Sequence, residues 1–271
     1  YTGRLVLYVA PSVWARHPER AKRLAPLFDA VLAVLPFEPE AMDRLGGPPT
    51  NYVGHPALAD AIASQTPPDR GPLVLLPGSR NGELRRHLPI LAEMATDLAR
   101  HPAVTELVIP TLPRLRDRLV AETANWPAPV RVVETRAARR EIYQQAIGAI
   151  CVSGTVTLEL ALARVPMVVI YALDSHQSRA YAKLGRPQVS LPNIILGRPI
   201  VREFVAAPLL DEPAKSAMID LLDNKKARQD QVQAFDELCR IMETGLPPHL
   251  REDPADRILA VWRNQRSLIG E

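Results

Sequence analysis

Two cysteines in 271 residues leave no disulfide framework. Cys151 ends an apolar run and Cys239 sits in a charged helical stretch, so neither the pair nor its surroundings suit structural zinc. A reducing cytosol is the simplest setting for such a chain. Aromatic residues make up only 5% of the sequence, so the core must be built from Leu, Val, Ile and Ala. No apolar run is long enough to span a bilayer; the longest are strand-sized. No signal-peptide pattern is present. The six histidines are scattered and no acidic pair has ligand spacing, which removes the usual metal centres. A Walker loop, a G-x-G-x-x-G turn, a Gly-X-Ser-X-Gly elbow and an Asp-X-Asp motif are all missing. A net charge of +3 is too small to call for nucleic acid; it suits an ordinary solvated surface, an anionic ligand or an anionic membrane.

What is present is an alternation of two periods. Strand-like runs at Leu5–Val9, Ala30–Leu35, Leu73–Leu76, Glu106–Ile109, Val130–Val133, Ala149–Val152 and Met167–Tyr171 are separated by stretches of helical spacing. The clearest of these is Glu83–Arg100, with Leu84, Leu88, Leu91, Ala95 and Leu98 on one face. Others fall at His17–Asp29, Pro56–Ala63, Pro113–Thr123, Arg139–Ala146 and Thr155–Arg164. The last hundred residues turn mostly helical, at Glu212–Asp223, Lys225–Thr244 and Asp256–Arg266, with Gly245-Leu246-Pro247-Pro248 as a break. The order predicts an α/β fold with a parallel sheet covered by helices on both faces. The Thr/Pro/Asp-rich stretch Ser64–Gly71 reads as a linker. Because Tyr1 is followed so closely by a strand, the chain reads as a piece of something longer.

Ligands of parallel sheets sit beyond the carboxyl ends of the strands. Three segments carry unusual chemistry there and are expected on one rim. In Pro77-Gly78-Ser79-Arg80, a buried strand turns into a helix, with glycines for close approach, amides at the helix start and an arginine fork: a phosphate site, or a plain strand–helix turn with a surface Arg. In Ser153-Gly154-Thr155, a hydroxyl can cap the next helix and donate to a phosphate. One turn further, Glu159 lies among Leu158, Leu160 and Leu162, where a buried carboxylate needs a partner such as the two hydroxyls of a ribose. In Ser190-Leu191-Pro192-Asn193, after a possible strand, Asn193 either contacts a sugar or phosphate or caps a turn. Upstream, Trp14 reads as packing and His55 as a turn residue more readily than as a base.

Taken in order, Pro-Ser-Val-Trp (11–14), Leu-Pro-Phe-Glu (35–38), Val-Gly-His-Pro (53–56), Leu-Leu-Pro-Gly-Ser-Arg-X-X-Glu (75–83), Ser-Gly-Thr-X-X-Leu-Glu (153–159), Pro-Met-Val-Val-X-Tyr (166–171) and Ser-Leu-Pro-Asn-Ile (190–194) resemble the lipid-A-disaccharide synthase family. The resemblance implies a GT-B fold, two Rossmann-like domains with a complete donor domain here and a remnant of the acceptor domain. The implied division is 1–63 for the acceptor-domain remnant, 64–71 for the linker, 72–244 for the UDP-sugar domain and 245–271 for a helical extension that crosses back. It implies an inverting transfer without a metal or other cofactor, from UDP-2,3-diacylglucosamine to 2,3-diacylglucosamine 1-phosphate. The implied donor site comprises Gly78, Ser79, Arg80, Glu83, Ser153, Gly154, Thr155, Glu159, Asn193 and Gly197, with Arg80 meeting the charge of departing UDP. A cytoplasmic location, peripheral contact with the inner membrane, a homodimer and no nucleic-acid partner complete what it implies. In the family, the segment carrying the opening Gly-rich motif and the proposed carboxylate base precedes the residues present here, so the chain alone is expected to bind UDP without transferring sugar. Arg16 replaces a family Trp, and Leu173–Gly185 is more polar than the family's apolar-basic helix. Two other readings stand beside this one: another UDP-sugar GT-B enzyme such as a UDP-N-acetylglucosamine 2-epimerase, and a non-catalytic UDP-binding subunit or fragment.

Overall fold

Each apolar run folds as its period dictates. The computed structural model describes residues 3–63 and 66–269, the side chains of 264–269 excepted. The chain divides into two units, Tyr1–Ala59 with Cys239–Glu271, and Asp60–Leu238.

In the first unit, β1 (Val6–Tyr8), β2 (Ala30–Ala33) and β3 (Thr50–Tyr52) form a parallel sheet in that order. Two helices connect them, α1 (Glu19–Leu24) and α2 (Glu38–Arg44). The central strand, Ala30-Val31-Leu32-Ala33, is buried throughout, as expected where both faces are covered. Ala10, Val13, Ala21, Val31, Ala33 and Met42 make its core. Helix α1 is shorter than the expected His17–Asp29, and α2 and β3 were not foreseen. The sequence Thr-Asn-Tyr lacks an apolar run, and β3 exists because its backbone completes the ladder of β2.

In the second unit, β4 (Gly71–Leu76), α3 (Asn81–Arg100), β5 (Val104–Pro110), α4 (Arg116–Thr123), β6 (Val130–Val133), α5 (Arg136–Gln145), β7 (Gly148–Val152), α6 (Thr155–Leu162) and β8 (Met167–Ala172) alternate as the sequence predicts. After them come α7 (Ser175–Lys183), α8 (Leu191–Leu196), β9 (Arg202–Ala206) and α9 (Asp211–Asp223). All six strands are parallel, in the order β6-β5-β4-β7-β8-β9. Leu84, Leu88, Leu91, Ala95 and Leu98 of α3 pack on Leu73, Leu75, Leu107 and Ile109 of the sheet. Each such leucine contributes about 1.5–3 kcal/mol by leaving water.

Three expectations need correction. Gly71 is not linker but the first residue of β4, and a Cβ there would collide with Gln145 O at 2.1 Å; Ser64 and Gln65 of that stretch lie outside the described residues. No strand precedes Ser190, which follows α7 and a loop. The real sixth strand, β9, was missed because Arg-Glu-Phe-Val-Ala at a sheet edge shows no continuous apolar pattern.

Helix α10 (Lys225–Thr244) leaves the second unit and enters the first. There β10 (Gly245–Leu246) and β11 (His249–Leu250) make a small hairpin before α11 (Pro254–Ile269). Glu252 N–H donates to Tyr52 O, and the Tyr52 hydroxyl donates to Met242 O, so the returning segment is tied to β3.

Candidate functional site

Strand order reverses between β4 and β7: the chain leaves β4 toward β5 on one side, and β7 begins the run on the other. Such a switch point opens a crevice at the carboxyl edge of a parallel sheet. Leu76 at the end of β4 pairs with Cys151 near the end of β7, so Pro77–Arg80 and Ser153–Thr155 emerge side by side.

Gly78 has φ +104°, and a Cβ there would stand 2.6 Å from both Cβ and Oε2 of Glu83. Only glycine allows that approach. The Glu83 side chain is almost buried, and Oε2 accepts the N–H groups of Ser79 at 3.0 Å and Arg80 at 3.2 Å. Its other oxygen holds the Arg80 guanidinium at 3.0 Å. Glu83, expected as a ligand contact, instead spends its carboxylate on shaping the loop. For the same reason the Ser79 and Arg80 amides are not free for a phosphate. The amides of Asn81 and Gly82 come next in the turn, and helix geometry gives them no partner inside α3. The Arg80 side chain is 82% exposed, and Arg114 reaches Ser79 O at 3.5 Å, so two cations stand at the start of α3.

At the second turn, Gly154 takes φ +140° with nothing within 4 Å of a would-be Cβ. As the N-cap of α6 it offers no side-chain oxygen, which leaves the first amides of that helix uncapped beside an exposed Thr155. Ser153 donates its hydroxyl proton to Val189 O at 2.7 Å. Of the two hydroxyls foreseen as phosphate donors, Thr155 is therefore the one still able to donate. Glu159 is half-buried one turn into α6, and none of the hydrogen bonds among the described residues involves its carboxylate. Burial pushes its pKa above the usual carboxylate value; Arg139 pulls it down and Asp60 pushes it up.

The third segment joins the second through Ser153 and through Leu191 N–H, which donates to Thr157 Oγ1 at 3.1 Å. Asn193 is 1% exposed. Its amide donates to Val201 O and Glu203 Oε1, and its oxygen accepts from Ile200 and Val201, each at 2.8 Å. That exhausts both donors and both lone pairs of an Asn side chain. The expected donor-site contact is corrected to a buried brace. Gly197, at φ +65°, ends α8, its N–H donating to Asn193 O. Glu203, which the sequence reading missed, accepts from Val189 N, Ser190 N, Ser190 Oγ and Asn193 Nδ2 and fixes the whole segment. Nothing in Arg-Glu-Phe announces it; the role arises when β9 pairs with β8.

The upstream motifs meet within the first unit. Glu38, 3% exposed, accepts Val34 N–H, Leu35 N–H and Trp14 Nε1–H. Trp14 packs edge-on against Phe37 at 4.9 Å. Burial raises the Glu38 pKa to about 7 despite those three donors. His55 accepts Ala57 N–H on Nδ1 at 3.0 Å, a turn role.

A family model described as lipid-A-disaccharide synthetase matches residues 1–247. The chain belongs to the lipid-A-disaccharide synthase family. Synthases of Nitrobacter winogradskyi and Bradyrhizobium diazoefficiens are 40% and 35% identical over 97% of the chain, matching 68% and 69% of their own lengths. That of Rhodopseudomonas palustris HaA2 is 37% identical over 89% of the chain and 64% of its own length. The chain thus spans about two thirds of these relatives. Solved structures give the fold. A Staphylococcus aureus MnaA–UDP structure superposes with a TM-score of 0.53 at 12% identity, covering 91% of this chain and 62% of that one. S. aureus TarM with UDP scores 0.52 at 10% identity, covering 91% and 45%. This glycosyltransferase family member has the GT-B-type α/β architecture expected of it. Among the described residues of the synthase chain, no helix is long and apolar enough to cross a membrane, and no cluster of three His, Cys, Asp or Glu side chains is placed to hold a metal ion.

Proposed function

We propose that this chain is the part of a lipid-A-disaccharide synthase that binds the sugar-nucleotide donor and meets the charge of the departing diphosphate. The donor is UDP-2,3-diacylglucosamine and the acceptor 2,3-diacylglucosamine 1-phosphate. The acceptor's 6-hydroxyl oxygen bonds to the anomeric carbon with inversion as that carbon's bond to the diphosphate oxygen breaks; the hydroxyl proton goes to the family's proposed carboxylate base, and UDP leaves with the electron pair. The observation that carries the reading is the pair of loops at the switch point, Gly78–Arg80 and Ser153–Thr155, with Glu159 one turn behind the second. Exposed Arg80, the Asn81 and Gly82 amides and the uncapped start of α6 supply positive potential where the leaving group gains charge. Glu159 accepts the ribose hydroxyls, which gives a half-buried carboxylate the partners it lacks. A groove of about 730 Å³ beside the loop has a mixed lining, with Arg85, Arg118 and Glu122 beside Pro89 and Trp126.

Titration calorimetry with UDP tests the reading. The native chain binds; Arg80→Ala and Glu159→Ala each lose about 1–3 kcal/mol, the worth of a charge-assisted hydrogen bond. Unchanged affinity in both would remove the assigned roles. The epimerase alternative has less behind it. A Listeria monocytogenes protein titled a putative UDP-N-acetylglucosamine 2-epimerase matches in fold at 14% identity with a TM-score of 0.53, whereas the synthases match in sequence at 35–40%. Peripheral contact with the cytoplasmic face of the inner membrane and a homodimer belong to the same proposal.

A further inference from the structure

The start of α3 gathers more positive charge than a helix terminus favours. Aligned peptide dipoles already make that end positive, and acidic side chains are what stabilise it. Here arginines collect instead. Arg80 stands on the loop with its side chain 82% exposed. Arg114, from the short turn Pro113–Leu115 after β5, reaches Ser79 O at 3.5 Å. Arg86 comes from one turn inside the helix. Helical side chains lean toward the N-terminus, and its Nη1 lies 3.5 Å from the position a Cβ on Gly82 would take. With no side chain at Gly82, the guanidinium has room against the backbone.

Arg86 differs from the other two. It is partly buried, and its Nε is fully buried without a hydrogen-bond partner. Among the described residues its guanidinium enters no hydrogen bond and no ion pair. The carboxylates around it are committed elsewhere. Glu83 accepts the Ser79 and Arg80 amides and holds the Arg80 guanidinium. Glu122 is clasped by Arg118 Nε at 2.6 Å. Asp174, near enough to feel the Arg86 charge, caps α7 by accepting Gln177 N–H at 2.8 Å. A helical arginine without a task extends its head into water. One folded back over the positive end of its own helix, with Nε enclosed and unpaired, costs free energy that an anion at that end offsets.

We propose that Arg86 is a binding residue for the terminal phosphate of the nucleotide diphosphate, meeting it together with Arg80 and the Asn81 and Gly82 amides at the start of α3. The inference rests on the donor-site reading given above. With the ribose on Glu159, one turn into α6, the phosphate next to the ribose falls at the start of α6 beside Thr155. The terminal phosphate then reaches the neighbouring loop, because Leu76 and Cys151 pair where β4 and β7 end. That phosphate bears the oxygen from which the anomeric carbon departs, so it is where charge grows as the bond breaks. Two guanidinium forks, one exposed on the loop and one held against Gly82, suit a group with several anionic oxygens.

The test is Arg86→Gln in the full chain, with UDP titrated directly and UMP measured by its displacement of UDP. UDP affinity falls about tenfold, equivalent to ~1.4 kcal/mol, whereas UMP, which has no terminal phosphate, binds as it does to the native chain. Thermal stability without nucleotide holds or rises, because a cation has left the positive end of a helix. Should Arg86→Gln fail to fold, Arg86→Lys, which keeps the charge without the fork, gives the same comparison with a smaller loss. Unchanged UDP affinity would overturn the inference. So would equal losses for UDP and UMP, since the substitution would then be disturbing the loop rather than removing a phosphate contact. If Arg80→Ala still weakens UDP binding in either case, the proposed function stands and only the role of Arg86 is lost. A native chain that fails to bind UDP overturns both.

Discussion

Two buried titratable side chains, one in each unit, give stability opposite dependences on pH. Glu38 titrates near 4.5 when unfolded and near 7 when buried under Trp14. The folded state therefore holds the proton more tightly, and the stability this provides is full below the unfolded value and lost as pH rises through about 7. The difference corresponds to roughly 3 kcal/mol. Denaturant unfolding followed by Trp14 fluorescence should show the first unit weaker at about pH 8 than at about pH 5, and Glu38→Gln should remove most of that slope. His87 runs the other way. It is fully buried; Nδ1 donates to Glu83 O at 2.8 Å and Nε2 accepts Ala172 N–H at 2.8 Å. Burial lowers its pKa below 6.5, so its contribution is complete above that value and is lost as pH falls through the lower, folded one. Protonation would replace the acceptor of Ala172 N–H with a second donor, and acid should loosen the link between α3 and the end of β8. A second unit whose stability holds as pH drops well below 6.5 would contradict this.

Helix starts and stops decide what the loops can offer. Glu83 combines the roles of helix cap and loop floor, so Glu83→Ala should act twice. Stability of the second unit falls by about 1–3 kcal/mol, as for an N-terminal cap with further bonds, and UDP binding weakens because Arg80 loses its anchor. A variant that melts earlier yet binds UDP as tightly as the native chain would show that Arg80 needs no such anchor. The elements themselves were legible wherever burial was one-sided or complete: α3 from its leucine spacing, and β4, β7 and β8 from continuous apolar runs. Among those that failed to show, β3, β9 and α8 are short and owe their form to neighbours. Thr-Asn-Tyr becomes a strand only beside β2, and Leu191–Leu196 becomes a helix only between the Glu203 brace and the Gly197 stop. Such elements carry no periodic signal because their stability comes from hydrogen bonds to residues distant in the chain.

At the level of the whole molecule, binding and folding are linked. A ligand that binds only the folded second unit, present at 100 times its dissociation constant, adds about 2.7 kcal/mol. UDP should accordingly raise the unfolding midpoint reported by Trp126, which packs against the core of that unit; no shift at saturating UDP would mean that the nucleotide does not bind there. The linear order of residues already determined the alternation of strands and helices, the parallel sheet, the family and the exposed position of Arg80 at a strand–helix turn, because each follows from local period or from side chains only a few residues apart. Tertiary structure alone decided which polar groups are still available to a ligand. Ser153, Glu83 and Asn193 looked like ligand contacts, and the fold pairs them with Val189, with the loop amides and with Val201 and Glu203. The Tyr143 hydroxyl, which the residue order does not single out, is left unpaired. A residue's type fixes how many hydrogen bonds it can make, but its partners are brought to it by strands and helices far along the chain, and only when those have packed is it settled which donors and acceptors are spent.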